Sequence, residues 1–313
     1  MNINLIYERA NKYSMWMTLA ISASLMFAVV SIIDKRLLAY NLPNVSVLMI
    51  WTVMGMAFYA IVILFVTGMP SLATPKIILI CLCSGLSLGV GISLMFLALK
   101  YEEASRAIAI VNTNPIFVTL LAIPLLGEYL NPTQWIALFL IIAGSALISI
   151  KRSANNQLLG FSRFTPLLIG SSFCWGLAHL IAKYVLEDLP LPTVFAIQQL
   201  GVAAVLACYI RKRSWDGLLL CMRDRNTCLL MIFGEAILPY IAIFVGLMAI
   251  SYGPVSLVTS VLASRPMFVF LFASLLSTQR LPLLDETLTK ETLGIKVVSI
   301  PMIVLGVVLL NSL

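Results

Sequence analysis

Charge is scarce in this chain. Asp, Glu, Lys and Arg make up only 11% of its 313 residues, against about a quarter in an average soluble domain. Hydrophobic residues reach 61% and the mean hydropathy is +1.04. This composition excludes a soluble enzyme and a disordered tail. Histidine occurs once, as His179, too few imidazoles for ordinary zinc chemistry. The six cysteines (Cys81, Cys83, Cys174, Cys208, Cys221, Cys228) form no Cys-x-x-Cys pair and lie in or beside apolar runs. They read as small buried hydrophobes rather than as a disulfide framework. No G-x-x-x-x-G-K-[ST] loop is present, so nucleotide hydrolysis would need a separate chain. His-Glu-x-x-His and paired-aspartate motifs are also missing. No cofactor is expected.

Long apolar sequence is abundant. Runs fall at about 15–33, 45–67, 76–99, 105–126 and 133–150, then at about 165–186, 193–210, 228–250, 254–276 and 293–311. Each is near the roughly 20 residues that span a bilayer core as a helix. Barrel strands would be half as long and would alternate, and lipid leaves no partner for an unpaired backbone. The expectation is an all-α polytopic membrane protein with ten transmembrane helices and no large domain outside the bilayer. The first run is too long for a cleaved signal peptide, and no small-x-small site follows it.

The two halves resemble each other. An offset of 148 places Ser24, Phe27 and Lys35 on Ser172, Trp175 and Lys183, and an offset of 151 places Ser105 and Pro115 on Ser256 and Pro266. By the last runs the offset is 162, pairing Gly144 with Gly306. This predicts two five-helix repeats, 1–152 and 153–313, with an eleven-residue insertion near 281–291 in the second. An odd number of helices per unit makes the copies face opposite ways across the membrane, the inverted-repeat plan of secondary transporters, with a site between the halves. The basic residues divide four (Arg9, Lys12, Lys76, Lys183) to fifteen between the two sides, with Arg265 inside a span. That bias places both termini outside the cytoplasm, and a net charge of +7 used in this way implies no nucleic-acid partner.

Candidate site residues follow from polarity at membrane depth. The fourth run contains Asn112-Thr113-Asn114-Pro115 and the ninth Ala263-Ser264-Arg265-Pro266. Each proline frees a carbonyl one turn back, that of Val111 or of Leu262. Asn112, Asn114 and Arg265 are therefore expected to line a substrate site. A guanidinium in mid-span costs at least ~2.5–3.5 kcal/mol, so Arg265 must meet an anion or a wet cavity. Its expected protein partner is Glu235, whose depth across the hairpin near Ser251–Pro254 differs by only ~7 Å. Ser172, Trp175, His179 and Lys183 share one helix face, which Ser24, Phe27, Ser31 and Lys35 repeat. Ser24, Ser172, Trp175 and His179 join the candidate set. Gln198 and Gln199 read mainly as interhelical glue, with Gln199 kept as a candidate contact. Gly85-Leu86-Ser87-Leu88-Gly89 matches a nucleophile elbow, but it lacks the strand before it that such an elbow requires. Its glycines form a packing face instead.

Asn114-Pro115, then Leu126-Gly127-Glu128-Tyr129-Leu130-Asn131-Pro132-Thr133-Gln134 and Ile142-Ala143-Gly144, resemble the EamA-type family of the drug/metabolite transporter superfamily. So do Leu97-Ala98-Leu99-Lys100-Tyr101 and Ala104-Ser105-Arg106-Ala107; the family's Trp-Gly step survives as Trp175-Gly176 and becomes Phe27-Ala28. The second half departs from the pattern, with Thr278-Gln279 where Gly-Glu would recur. The resemblance implies a ten-helix basket with a central cavity that exports or exchanges small metabolites such as amino acids. It also implies cytoplasmic termini, against the charge count. The expected function is secondary transport of a small polar, carboxylate-bearing metabolite across the bacterial cytoplasmic membrane, with a proton or counter-substrate as partner. An intramembrane enzyme acting on lipid-linked substrates, or a channel or scaffold, is the alternative.

Overall fold

A computed structural model of the chain describes the backbone of residues 3–43, 45–70, 73–99, 101, 104–149, 163–210, 213–276 and 290–311. Every regular element among these residues is helical. The order begins α1 (Ile3–Arg36), a π-helical turn (Leu37–Asn41), α2 (Val45–Thr67), α3 (Pro75–Leu99), α4 (Ala104–Val111), α5 (Asn114–Leu126) and α6 (Pro132–Ser149). It continues with α7 (Thr165–Val185), α8 (Leu191–Ala207), α9 (Arg213–Arg223), α10 (Arg225–Met231) and a second π-helical stretch (Ile232–Ile237). The remainder is α11 (Leu238–Tyr252), α12 (Val255–Leu262), α13 (Arg265–Leu276) and α14 (Lys290–Asn311). Among the described residues, six stretches are long and apolar enough to cross a membrane: Met15–Asp34, Val45–Thr67, Pro75–Ala98, Thr165–Val185, Arg225–Tyr252 and Val255–Phe272. Four shorter apolar helices accompany them, Asn114–Leu126, Pro132–Leu147, Leu191–Ala207 and Val298–Leu310. The boundary at 152/153 lies outside the described residues. So does most of the insertion near 281–291, whose last two positions open α14.

The prolines break the helices where their chemistry requires it. Pro115 and Pro266 each occupy the second position of a new helix, α5 and α13, and a two-residue turn precedes each helix at Asn112–Thr113 and Ala263–Ser264. Proline is accepted in a first turn because its missing N–H has no intrahelical partner there. A third interruption was not anticipated. Pro239 cannot donate to the Glu235 carbonyl, and the backbone before it widens into the π-helical stretch Ile232–Ile237. The Tyr59 hydroxyl meets a carbonyl in this stretch, donating to Ala236 O at 2.5 Å.

Helices from before and after residue 152 interleave. α1 packs on α11, α12 and α13, while α7 packs on α3, α4 and α5. α2 lies against α8, α5 against α12, and α6 against α14. Small residues set the closest approaches. A Cβ on Gly85 would lie 2.2 Å from the Gln198 carbonyl, and one on Gly201 would lie 2.8 Å from the Gly85 Cα. The Gly-x-Ser-x-Gly pentapeptide is thus a helix-packing face. Gly144 receives Ile303 and Gly306 receives Ile141, so α6 and α14 dock reciprocally through equivalent glycines.

The motif residues of the resemblance have structural work. Gly127 ends α5 with φ +65, a conformation that costs glycine little. It directs Glu128 to the start of α12, where the carboxylate accepts from Val255 N (2.6 Å), Ser256 N (3.2 Å) and Ser256 Oγ (2.6 Å). α12 has no acidic residue in its own first turn, and a carboxylate there meets both the open N–H groups and the positive helix end. Asn131 and Gln134 form a reciprocal capping box at the start of α6, at 2.9 and 3.0 Å. At the opposite polarity, Lys183 Nζ donates to the carbonyls of Ile250 (2.8 Å), Ser251 (3.3 Å) and Gly253 (2.9 Å), closing the C-terminal end of α11. The amphipathic α9 was also unanticipated. It buries Leu218 and Cys221 while exposing Trp215, Leu219 and Leu220, as a helix lying in a membrane interface does.

Candidate functional site

Two matched constructions occupy the helix breaks. At the first, Thr113 Oγ1 donates to Ile110 O (2.6 Å) and shares a hydrogen bond with Ser172 Oγ of α7 (3.2 Å). At the second, Ser264 Oγ donates to Val261 O (2.6 Å) and lies 3.4 Å from Ser24 Oγ of α1. Ser24 also donates to the Leu262 carbonyl freed by Pro266, at 3.5 Å. Ser24 and Ser172 are fully buried. They therefore strap the breaks in place rather than present a wet face. The Trp-Gly step serves the same junction: a Cβ on Gly176 would lie 3.2 Å from the Asn114 carbonyl, so the glycine lets α7 approach the start of α5.

Arg265 does not form the simple pair expected for it. Its Nε donates to Ser31 Oγ at 2.8 Å, its Nη2 donates to the same oxygen, and its guanidinium lies over the Phe27 ring, 5.4 Å from the centroid. Ser31 in turn donates to Phe27 O at 2.8 Å. Glu235 is 6% exposed. It lies beside Asp34 and Thr52, and both carboxyls are within electrostatic reach of Arg265. The π-helical stretch carries Glu235 toward α1 and α2, so the pair becomes a cluster of two acids and one base. Ser24 lies near the middle of Met15–Asp34, and Ser31 is two turns, or ~10 Å, farther along α1. The Arg265 side chain thus runs from the central break toward one end of that helix. Around the cluster, Tyr59 and Tyr240 stack at 4.4 Å, and Tyr240 Oη donates to Thr52 O at 2.9 Å.

The other candidates are notable for what they lack. Asn112 Nδ2, Trp175 Nε1, His179 Nδ1 and Gln199 Nε2 are buried without a hydrogen-bonding partner, as are Thr119 Oγ1, Asp34 Oδ1 and Glu235 Oε1. Each such group costs about 1–3 kcal/mol when left dry, and native folds hold only a few per hundred residues. Trp175 and His179 meet edge to face, with ring centroids 6.4 Å apart. Gln198, by contrast, donates to Ser84 Oγ at 2.9 Å, and Ser84 donates to Ala178 O at 2.8 Å, so this glutamine ties α8 through α3 to α7. Sequence reasoning missed Asp34, Thr52, Tyr59, Thr119 and Tyr240. Pro239 is the one sequence signal that could have drawn attention to the turn holding Glu235.

These features define an all-α membrane protein organised around two proline-broken helices and an intramembrane charge cluster. Residues 14–150 match the model of the EamA-like transporter family, part of the drug/metabolite transporter superfamily, which bears out the resemblance read from the motifs. The match associates the chain with membrane transporters of the drug/metabolite kind. Among solved structures, a chain described as "Crystal structure of protein" is similar with a TM-score of 0.68 and 16% identity, over 95% of this chain and 96% of that one. That likeness concerns the fold alone. No curated protein matches the sequence.

Proposed function

We propose that the protein is a secondary transporter, an exporter or exchanger of a small polar metabolite such as an amino acid or related carboxylate, acting by alternating access in a bacterial cytoplasmic membrane. The six long and four shorter apolar helices are read as ten spans in two inverted five-helix repeats. Supporting the repeat is the recurrence of one construction at equivalent positions, Thr113–Ser172 and Ser264–Ser24. The reciprocal docking of Gly144 and Gly306 supports it as well.

The observation that carries the reading is the pair of matched breaks, together with unpartnered polar groups in the turn before α5 and on α5, α7, α8 and the π-helical stretch. Discontinuous helices at the repeat interface are where transporters of this plan bind substrate. Arg265 supplies a forked donor suited to a carboxylate. Asn112, Asn114, Trp175, His179 and Gln199 supply neutral polar and aromatic contacts. Because the sequence halves interleave, the bodies that rock are mixed bundles, α1 with α11–α13 against α7 with α3–α5. A thermal-shift screen of purified protein tests the reading. Amino acids or related carboxylates should raise the unfolding temperature of the wild type and not of Arg265→Ala. Stabilisation only by lipid-linked compounds would favour an enzyme instead.

A further inference from the structure

We propose that α9, with the corner that joins it to α10, is a binding site for anionic phospholipid. The site shares no residue with the helix breaks and is independent of what the chain carries. α9 has 11 residues and extends only ~16 Å, about half the thickness of a bilayer's hydrocarbon core. It does not cross. One of its sides is docked: Leu218 and Cys221 are buried, and Cys221 Sγ lies 3.8 Å from Asn41 O. A Cβ on Gly217 would lie 2.9 Å from Val47 Cγ2 and 3.3 Å from Pro43 Cγ. Val47 is in the first turn of α2, and Asn41 closes the π-helical turn that follows α1. These contacts hold α9 level with the ends of two long apolar helices, the depth at which lipid headgroups lie.

The opposite side is apolar with a basic edge. Trp215, Leu219 and Met222 recur at i, i+4 and i+7, and all three are exposed. Arg223 continues the row one turn beyond Leu219 and is exposed as well. The corner that follows is fixed: Asn41 Nδ2 donates to Thr227 Oγ1 at 2.8 Å, and Asp224 accepts from Thr227 N at 3.0 Å. Exposed Arg223 and Arg225 therefore stand on either side of an aspartate whose carboxylate is spent on capping α10.

Charge complementarity names the occupant. Between 211 and 225 the sequence places Arg211, Lys212, Arg213, Arg223 and Arg225 against Asp216 and Asp224. α2, on which α9 packs, has no charged residue. Arg36, exposed at the end of α1, has the same sign. An aromatic and aliphatic face with arginines at its edge is drawn to anionic lipid, and a guanidinium takes phosphate oxygens in pairs. An acidic soluble protein would satisfy the arginines, but it would have to displace lipid from Trp215, Leu219 and Met222 at this depth.

Native mass spectrometry of the full chain tests this, with phosphatidylglycerol or phosphatidylcholine of the same acyl chains titrated in detergent. Each basic residue at an anionic surface contributes about fivefold, so the tightest site should prefer phosphatidylglycerol by about 25-fold or more. Arg223→Gln/Arg225→Gln should remove most of that preference. Arg223→Lys/Arg225→Lys should keep most of it, as should Lys76→Gln beyond the other end of α2. In nanodiscs of phospholipid brominated near the headgroup, tryptophan quenching should fall in Trp215→Phe. Equal retention of the two lipids, or a preference unchanged in Arg223→Gln/Arg225→Gln, overturns the proposal. So does Trp215 emission that the brominated lipid leaves unquenched, which would give this face to a soluble partner.

Discussion

At the residue scale, the decisive side chains are those whose charge is met far away in sequence. Glu128 reaches across the fold to cap α12 with three accepted hydrogen bonds. Glu128→Ala should cost about 0.5–2 kcal/mol, read as a lower unfolding temperature in detergent, with Glu128→Gln retaining part of the loss as acceptor strength. Arg265→Ala alone should sharply reduce folded yield, because buried Glu235 and half-buried Asp34 lose their cation, a loss of about 3–5 kcal/mol. Adding Asp34→Asn and Glu235→Gln should restore yield but not transport; transport by the triple variant would make the cluster purely structural. Outside the membrane, Asp224 caps α10 by accepting from Thr227 N and Oγ1, and those hydrogen bonds hold its carboxyl below the usual range. Its contribution is present above the ordinary aspartate range and is lost as pH falls through the lowered value. The stability gap between wild type and Asp224→Ala should therefore close in acid, measured by thermal unfolding across pH. Glu128 was legible as part of a family motif, but its target was not, since local spacing carries no information about a contact 127 residues away. Asp34 escaped notice because, beside Lys35 and Arg36, it reads as an ordinary interfacial charge.

At the element scale, proline and glycine determine where helices break and how closely they pass. The breaks before Pro115 and Pro266 were readable, because a missing N–H acts locally and regardless of context. The π-helical stretch before Pro239 was not, because hydropathy runs unbroken through Arg225–Tyr252 and a widened turn leaves no trace in it. The amphipathic α9 was hidden in a connection that reads as polar because of its arginines. Gly85→Val should destabilise by at least the ~1–3 kcal/mol typical of overpacking, since the new atoms would meet the Gln198 carbonyl and the Gly201 backbone rather than flexible side chains. Ser87→Ala should be tolerated, losing one hydrogen bond to Cys174 O and about 1 kcal/mol. Loss of function in Ser87→Ala with normal folding would contradict a packing role for the pentapeptide.

At the scale of the whole molecule, the all-helical character and the place of the long apolar elements were legible from hydropathy, while their interleaving was not. Nothing in the order of the runs says that α1 packs on α11–α13 and α7 on α3–α5. Those pairings come from long-range straps such as Ser24–Leu262 and Ser171–Gly91. They place both helix breaks against helices from the opposite half, which fits the proposed carrier with one shared site. Counterflow in proteoliposomes loaded with unlabelled amino acids tests that claim most directly. Saturable uptake of labelled amino acids is expected, accelerated by the internal pool and abolished by Arg265→Ala in protein that still folds. Flux that rises linearly with concentration, indifferent to the internal pool and to Arg265, would contradict it.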